Sequence, residues 1–334
     1  LNLKVWVVVF VFINPKTFML NRSIKVAVLG ASGLIGKAIV KRFKQQHFVN
    51  ILTPSHSELD LEKADEVSNY FRLTQPNLVI LTAGKVGGIL ENQKYPADLI
   101  IKNLNIQLNV AMSAHESDCK KVVLLGSSCM YPKCAAQPMR EIEIGTGSLE
   151  SSSLSYAISK MAGLQVGFSY NLQYNLNRFL CVIPNSVYGP GDNFNPLQGH
   201  VLSALMQKFH KAKVARDSEV SVWGTGVPRR EFVFSEDLAD AILFLLDSDF
   251  DTINEPINIG SGADISISKL AELIAIEVGF IGEIKLETDK PDGALRKLLD
   301  SKKINDLGWS SSTKLKTGIA KTYEWYKKSI GYED

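Results

Sequence analysis

The stretch IKVAVLGASGLIGKAIVKRFKQQ, residues 24–46, decides how the rest of the chain is read. Its first part is a β-branched apolar run that stops at Gly30, and its second part carries helical periodicity. The turn between them holds Gly30, Ala31, Ser32, Gly33, Leu34, Ile35 and Gly36. Glycines at that spacing allow a tight turn, admit a pyrophosphate close to the backbone and let helix pack on strand. The helix N-terminus then favours the anion. Strand, glycine turn and helix in that order predict a dinucleotide-binding unit in which these seven residues meet the cofactor.

Further strand-like runs follow at VNILTP (49–54), PNLVILTAG (76–84), KVVLLGSS (121–128) and NRFLCVIPNSVYGP (177–190). Several are continuously apolar, as strands buried on both faces of a parallel sheet are. Strands alternating with helices predict a Rossmann-like, doubly wound parallel α/β sheet. The expected organisation is a nucleotide-binding domain over 19–185 and a smaller C-terminal α/β substrate lobe over 186–334, with INIGSG (257–262) returning a strand to the main sheet. An acidic residue after the second strand would bind the ribose 2′-OH of NAD. That place carries Thr53, Pro54, Ser55 and His56, which argues for NADP(H), although no arginine offers a 2′-phosphate clamp.

Composition excludes several function classes. With 45% hydrophobic and 22% charged residues, the 334-residue chain is an ordinary globular protein. Its 37 basic and 35 acidic residues leave a net charge of +2, without the clustered excess that nucleic acid demands. Four cysteines are too few and scattered for a disulfide framework, and no second Cys/His pair joins Cys129 and Cys134 to make a metal site. The apolar run VWVVVFVFI (5–13) is shorter than the roughly 20 residues that span a bilayer, and no small-residue cleavage site follows it. Residues 1–18 are therefore expected to be an extension before a chain that starts at Met19. No membrane role is expected, and the location is expected to be cytoplasmic.

SYAISK (155–160) puts Tyr156 and Lys160 on one helical face, after a strand that ends in Ser127. Hydride addition to a ketone needs this set. Tyr156 gives the oxygen a proton, Lys160 favours the tyrosinate, and Ser127 holds the carbonyl. Two residues beyond Ser127 stands Cys129. Thiols and imidazoles both exchange protons near neutral pH, so a thiol here is a candidate acid/base group. Cys119, Cys134 and Cys181 are expected to be buried and inert, and His47, His115 and His210 to be surface or filler positions.

The chain resembles the extended short-chain dehydrogenase/reductase family through AGKVGGI (83–89), YPAD (95–98), GSSCMYPK (126–133), YAISK (156–160), YGPGDNFNP (188–196), HVLSAL (200–205), VWGTGVPRREF (222–232) and KPDGALRKLLD (290–300). The resemblance is strongest to members that epimerise and reduce a GDP-4-keto-6-deoxy sugar. It implies Cys129 as base and His200 as acid. It also implies cofactor contacts at Leu125, Gly126, Ser127, Ser128, Lys160, Pro184, Asn185, Ser186, Val187 and His200. Lys208, Trp223, Arg230 and Asp292 are implied as binders of the GDP-sugar, and a homodimer is implied through long helices beside the Tyr156 helix. Two departures stand out. Ser186 occupies a position where the family usually has Asn, and Ser32 one where some relatives have Arg. A relative acting on a 3-deoxy GDP-4-keto sugar is a competing reading. A cofactor-binding regulator without turnover is another, but it would not need to keep Tyr156 and Lys160.

Overall fold

The computed structural model describes residues 20–196, 199–248, 255–290 and 292–332, without the side chains at 89 and 90. The extension expected over 1–18 lies outside the described residues. The strands are β1 (Lys25–Leu29), β2 (Asn50–Leu52), β3 (Leu78–Leu81), β4 (Lys121–Leu125), β5 (Phe179–Pro184), β6 (Ser186–Tyr188), β7 (Glu219–Trp223), β8 (Arg229–Phe234), β9 (Ile257–Ile259), β10 (Asp264–Ser266), β11 (Glu283–Glu287) and β12 (Arg296–Lys297). The helices are α1 (Leu34–Gln45), α2 (Ala64–Thr74), α3 (Ile89–Lys94), α4 (Pro96–Glu116), α5 (Leu154–Gln173), α6 (Val201–Ala215), α7 (Ser235–Asp247), α8 (Ile267–Val278), α9 (Lys302–Asp306) and α10 (Leu315–Ser329).

The main sheet is parallel in the order β2-β1-β3-β4-β5-β9. The chain leaves β1 in one direction to make β2 and returns on the other side to make β3. This reversal creates the crevice where open α/β sheets take their ligands. One apolar layer joins Val26, Val28, Ile39 and Phe43 to Leu238 and Ile242, so α1 and α7 cover one face. On the other face, Ala27, Leu29 and Val79 pack with Val110, Ala114 and Leu164 of α4 and α5.

The run 177–190 is two strands rather than one. β5 ends at Pro184 in the main sheet, while β6 leaves to pair in parallel with β8. The cause is Asn185, whose Oδ1 accepts from the Ser186 amide at 3.0 Å while its Nδ2 donates to Glu231 at 2.8 Å. Those bonds turn the chain out of the first sheet. β8 is flanked along its first half by antiparallel β10 and parallel β12. A third core, with Leu202, Met206, Phe209, Val222, Phe234, Ile274 and Tyr323, fills this part of the molecule.

Candidate active site

Gly30 follows β1 at φ +97°, and a Cβ there would run into the Ala83 backbone beyond β3. A Cβ at Gly36 would collide with the Gly30 carbonyl and the Ala31 Cα, so α1 approaches β1 only because this residue is glycine. Gly33 stands at the N-cap of α1, where no side chain caps the first-turn amides and no acidic residue is present. Those amides and the positive end of the helix suit a pyrophosphate. Leu34 and Ile35 lean onto the core, and Ser32 is exposed. Beside the turn, Ala31 and Thr53 share a surface groove with Lys37, Val40, Lys41, Lys44 and Gln45. Lys37 lies in the first turns of α1 and Lys44 in its last turn, so the groove runs along the helix. Lys41 is paired with Glu236 at 2.5 Å.

At the end of β4, Ser127 Oγ accepts from the Cys129 amide at 3.3 Å and opens a 3₁₀ turn over Ser128–Met130. Tyr156 and Lys160 project from α5 toward this turn. Lys160 is buried, and its Nζ lies 5.9 Å from the centre of the Tyr156 ring. Burial pushes the ammonium down to about 8. Among the described residues, that ammonium has no hydrogen-bond partner, which fits a hydroxyl-bearing ligand such as a ribose. Burial raises the Tyr156 phenol, the charge of Cys129 raises it further, and a hydrogen bond with Ser127 only partly opposes them. The lysine lies over the ring, and burial together with the nearby thiol moves the Tyr156 phenol upward.

Cys129 is half-buried. Burial alone would raise its thiol, but Lys297 and hydrogen bonds with Ser127, Ser153 and Lys297 outweigh this and hold it below the ordinary thiol range. Burial pushes Cys119 up to about 11 and moves Cys181 in the same direction. Cys134 departs from expectation because its loop leaves it exposed.

His200 caps α6 as an exposed residue with Nδ1 3.9 Å from Asp192 Oδ1. Hydrogen bonding and attraction to that carboxylate raise the imidazole above its usual value, outweighing partial desolvation by the surrounding loop. Arg229 turns outward to Asp264 at 2.8 Å, whereas Arg230 turns inward and donates to the Ala294 carbonyl at 2.5 Å. Burial lowers Arg230 while the charges of Cys129 and Asp292 pull it back up, so the guanidinium lies within electrostatic reach of both. Asp292 is committed to the loop after β7: it accepts from the Thr225 amide at 3.0 Å and the Thr225 hydroxyl at 2.7 Å. Direct acceptance from a ligand is left to the remaining lone pairs of those oxygens. Lys208 donates to the Ser221 carbonyl and hydroxyl, on the same strand as Trp223, which is 51% exposed. Lys208, Trp223, Arg230 and Asp292 are thus gathered around β7 and β8. The side chains of Leu125 and Val187 enter the core, and that of Asn185 is held by Glu231. Any contact these three make with a dinucleotide falls to their backbone.

Sequence reasoning missed Asp192, Glu231, Lys297 and the lysines of α1. Asp192 and Lys297 lie inside quoted motifs, YGPGDNFNP and KPDGALRKLLD, but which of their neighbours they face was not legible there. The spacing of Lys37, Lys41 and Lys44 on one helical face was a readable signal.

Residues 26–260 match the model of the NAD dependent epimerase/dehydratase family. The chain is 47% identical over 316 residues to "Putative GDP-L-fucose synthase 2" of Arabidopsis thaliana, covering 94% of this chain and 95% of that protein. It is 34% identical to "GDP-L-colitose synthase" of Yersinia pseudotuberculosis, covering 90% of this chain and 97% of that one. Among solved structures, a GDP-L-fucose synthetase from Naegleria fowleri bound to NADP superposes with a TM-score of 0.86 at 27% identity, covering 94% of this chain and 95% of that one. With more than half of its length matched and the glycine turn, Tyr156 and Lys160 in place, the chain belongs to the NAD dependent epimerase/dehydratase family.

Proposed function

We propose that this protein converts GDP-4-keto-6-deoxy-D-mannose into GDP-L-fucose, inverting C3 and C5 and then reducing C4 with NADPH. One observation carries the reading. Cys129 in the turn after β4, 3.6 Å from Lys297 Nζ and kept low, and Tyr156 on α5, kept high, both bond to Ser127, one suited to removing a proton and the other to giving one. Cys129 takes the proton from C3 or C5, whose electrons spread onto the C4 oxygen, and His200 returns one from the opposite face. Ser127 holds the C4 carbonyl, and Tyr156 gives its proton to that oxygen when the carbonyl is reduced. When bound, the reduced nicotinamide would supply the hydride.

The cofactor would lie over the glycine turn, with a ribose at Lys160 and its 2′-phosphate beside Lys37 and Lys44. Lys208, Trp223 and Arg230 would hold the GDP-sugar, with Asp292 setting their loop. The domain division at about residue 185 follows from this assignment. Exposed Ile101, Leu108 and Met112 of α4 and Ile158 and Leu172 of α5 suit pairing with a second copy of the chain. The free cysteines, Cys134 exposed among them, suit the reducing cytoplasm. No helix among the described residues is long and apolar enough to cross a membrane.

The test is incubation with GDP-4-keto-6-deoxymannose and NADPH in deuterated water, with the product read by NMR. Deuterium at both C3 and C5 with stoichiometric NADPH oxidation is expected. Deuterium at C5 alone, on a 3-deoxy substrate used in preference, would favour the colitose-type reading that the 34% relative supports. Neither exchange nor oxidation would overturn both.

A further inference from the structure

We propose that Lys297 is the positioning residue that holds Cys129 as a thiolate and so arms it as the base of the epimerisation; this rests on the function proposed above. Lys297 Nζ lies 3.6 Å from Cys129 Sγ, although 168 residues separate them. The reach is built, because the backbone around Lys297 is clamped. Its carbonyl accepts from Asn185 Nδ2 at 3.3 Å, the Leu298 amide donates to Gln137 at 2.9 Å, and the Leu299 amide donates to Glu231 at 3.0 Å. In the sheet, Lys297 is in register with Arg230.

The groups around the thiol come from four elements. Lys297 on β12 and Arg230 on β8 are the cations, Tyr156 on α5 is an acid, and Ser127 and Ser153 contribute hydroxyls. A thiol turned thiolate next to a phenol also drives that phenol toward its neutral form. The Lys297–Cys129 pair therefore assigns the base and the acid within one cluster. The proton count balances across the step. The thiolate sulfur takes the C–H proton, the C–H electron pair becomes the enolate, and the negative charge moves from sulfur to the substrate oxygen. The neighbouring cations face one negative charge before and after, so the site needs little reorganisation.

The experiment follows the rate of Cys129 alkylation by iodoacetamide against pH in a Cys134→Ser background, with Cys129→Ser as blank and thiolate absorbance near 240 nm as a second readout. For Lys297→Met, alkylation at pH 7 is expected to fall about tenfold and its midpoint to move to higher pH. Lys297→Arg is expected to recover most of the rate, and deuterium incorporation at C3 and C5 should fall in step with thiolate. An unmoved midpoint in a Lys297→Met protein with wild-type circular dichroism and melting overturns the proposal, whatever the substrate. If that variant does not fold, an unmoved thiolate absorbance in Lys297→Gln overturns it equally. A moved midpoint with no deuterium entering in the wild type leaves the pair standing and sinks the substrate assignment instead.

Discussion

Asn185 Nδ2 donates to Glu231 Oε2 at 2.8 Å, and this bond ties the end of the main sheet to the strand that carries Arg230. Glu231 is fully buried and also accepts from the Gly262 amide at 2.8 Å and the Leu299 amide at 3.0 Å. Glu231→Ala leaves three donors without their acceptor, each worth about 1–3 kcal/mol. Urea unfolding is expected to show a loss of about 3 kcal/mol or more, and Asn185→Ala a smaller one because Glu231 keeps its two amide donors.

Lys160 carries a cost that its function explains. Its folded value, about 8, lies below the ordinary 10.5, so the unfolded chain binds more protons between those values. Stability attributable to this residue therefore rises with pH across that window and is lowest below it. Lys160→Met is expected to melt a few degrees higher than wild type at pH 7, with the gap closing toward pH 10, while C4 reduction is lost. A lower melting temperature at pH 7 would contradict the sign.

Asp192 keeps His200 protonated to higher pH than an ordinary imidazole. An acid is useful only while protonated, so proton return should fade as pH rises through the His200 value. Asp192→Asn is expected to move the descending limb of the C5 exchange profile to lower pH, losing far more rate at pH 8 than at pH 6. An unchanged limb would remove His200 from the acid role.

Gly36 and Gly33 should separate fold from ligand. Gly36→Ala drives a methyl into backbone atoms of Gly30 and Ala31, a strain of about 1–3 kcal/mol or more that thermal melting should register. At Gly33 the nearest atom to an added Cβ is the Gly30 carbonyl oxygen at 3.5 Å, an ordinary contact. Gly33→Ala should melt like wild type yet bind NADPH about tenfold more weakly by titration calorimetry, because the methyl stands over the amides that face the pyrophosphate.

Lys37 and Lys44 line the groove at the end of β2 in place of an arginine clamp. The double variant Lys37→Ala/Lys44→Ala is expected to raise the Kd for NADPH about tenfold and to leave that for NADH unchanged. Equal weakening of both would place the lysines elsewhere than at a 2′-phosphate.

The doubly wound fold was legible because its signals are local. Buried parallel strands read as apolar runs, and Gly30, Gly33 and Gly36 announce a turn whose steric demands only glycine meets. Tyr156 and Lys160 were legible for the same reason, since one helical turn sets their spacing. The break at Asn185 was not, because an apolar run says nothing of a carboxylate 46 residues later that pulls the chain aside. The chemistry of the thiol was hidden likewise. Cys129 stood out by position, but its charge state depends on Lys297 arriving from 168 residues away. Spacing along the chain thus determined the strands, the turn and the helical pair. Burial and through-space charge, which exist only once distant segments meet, set the opposite directions in which Cys129 and Tyr156 shift.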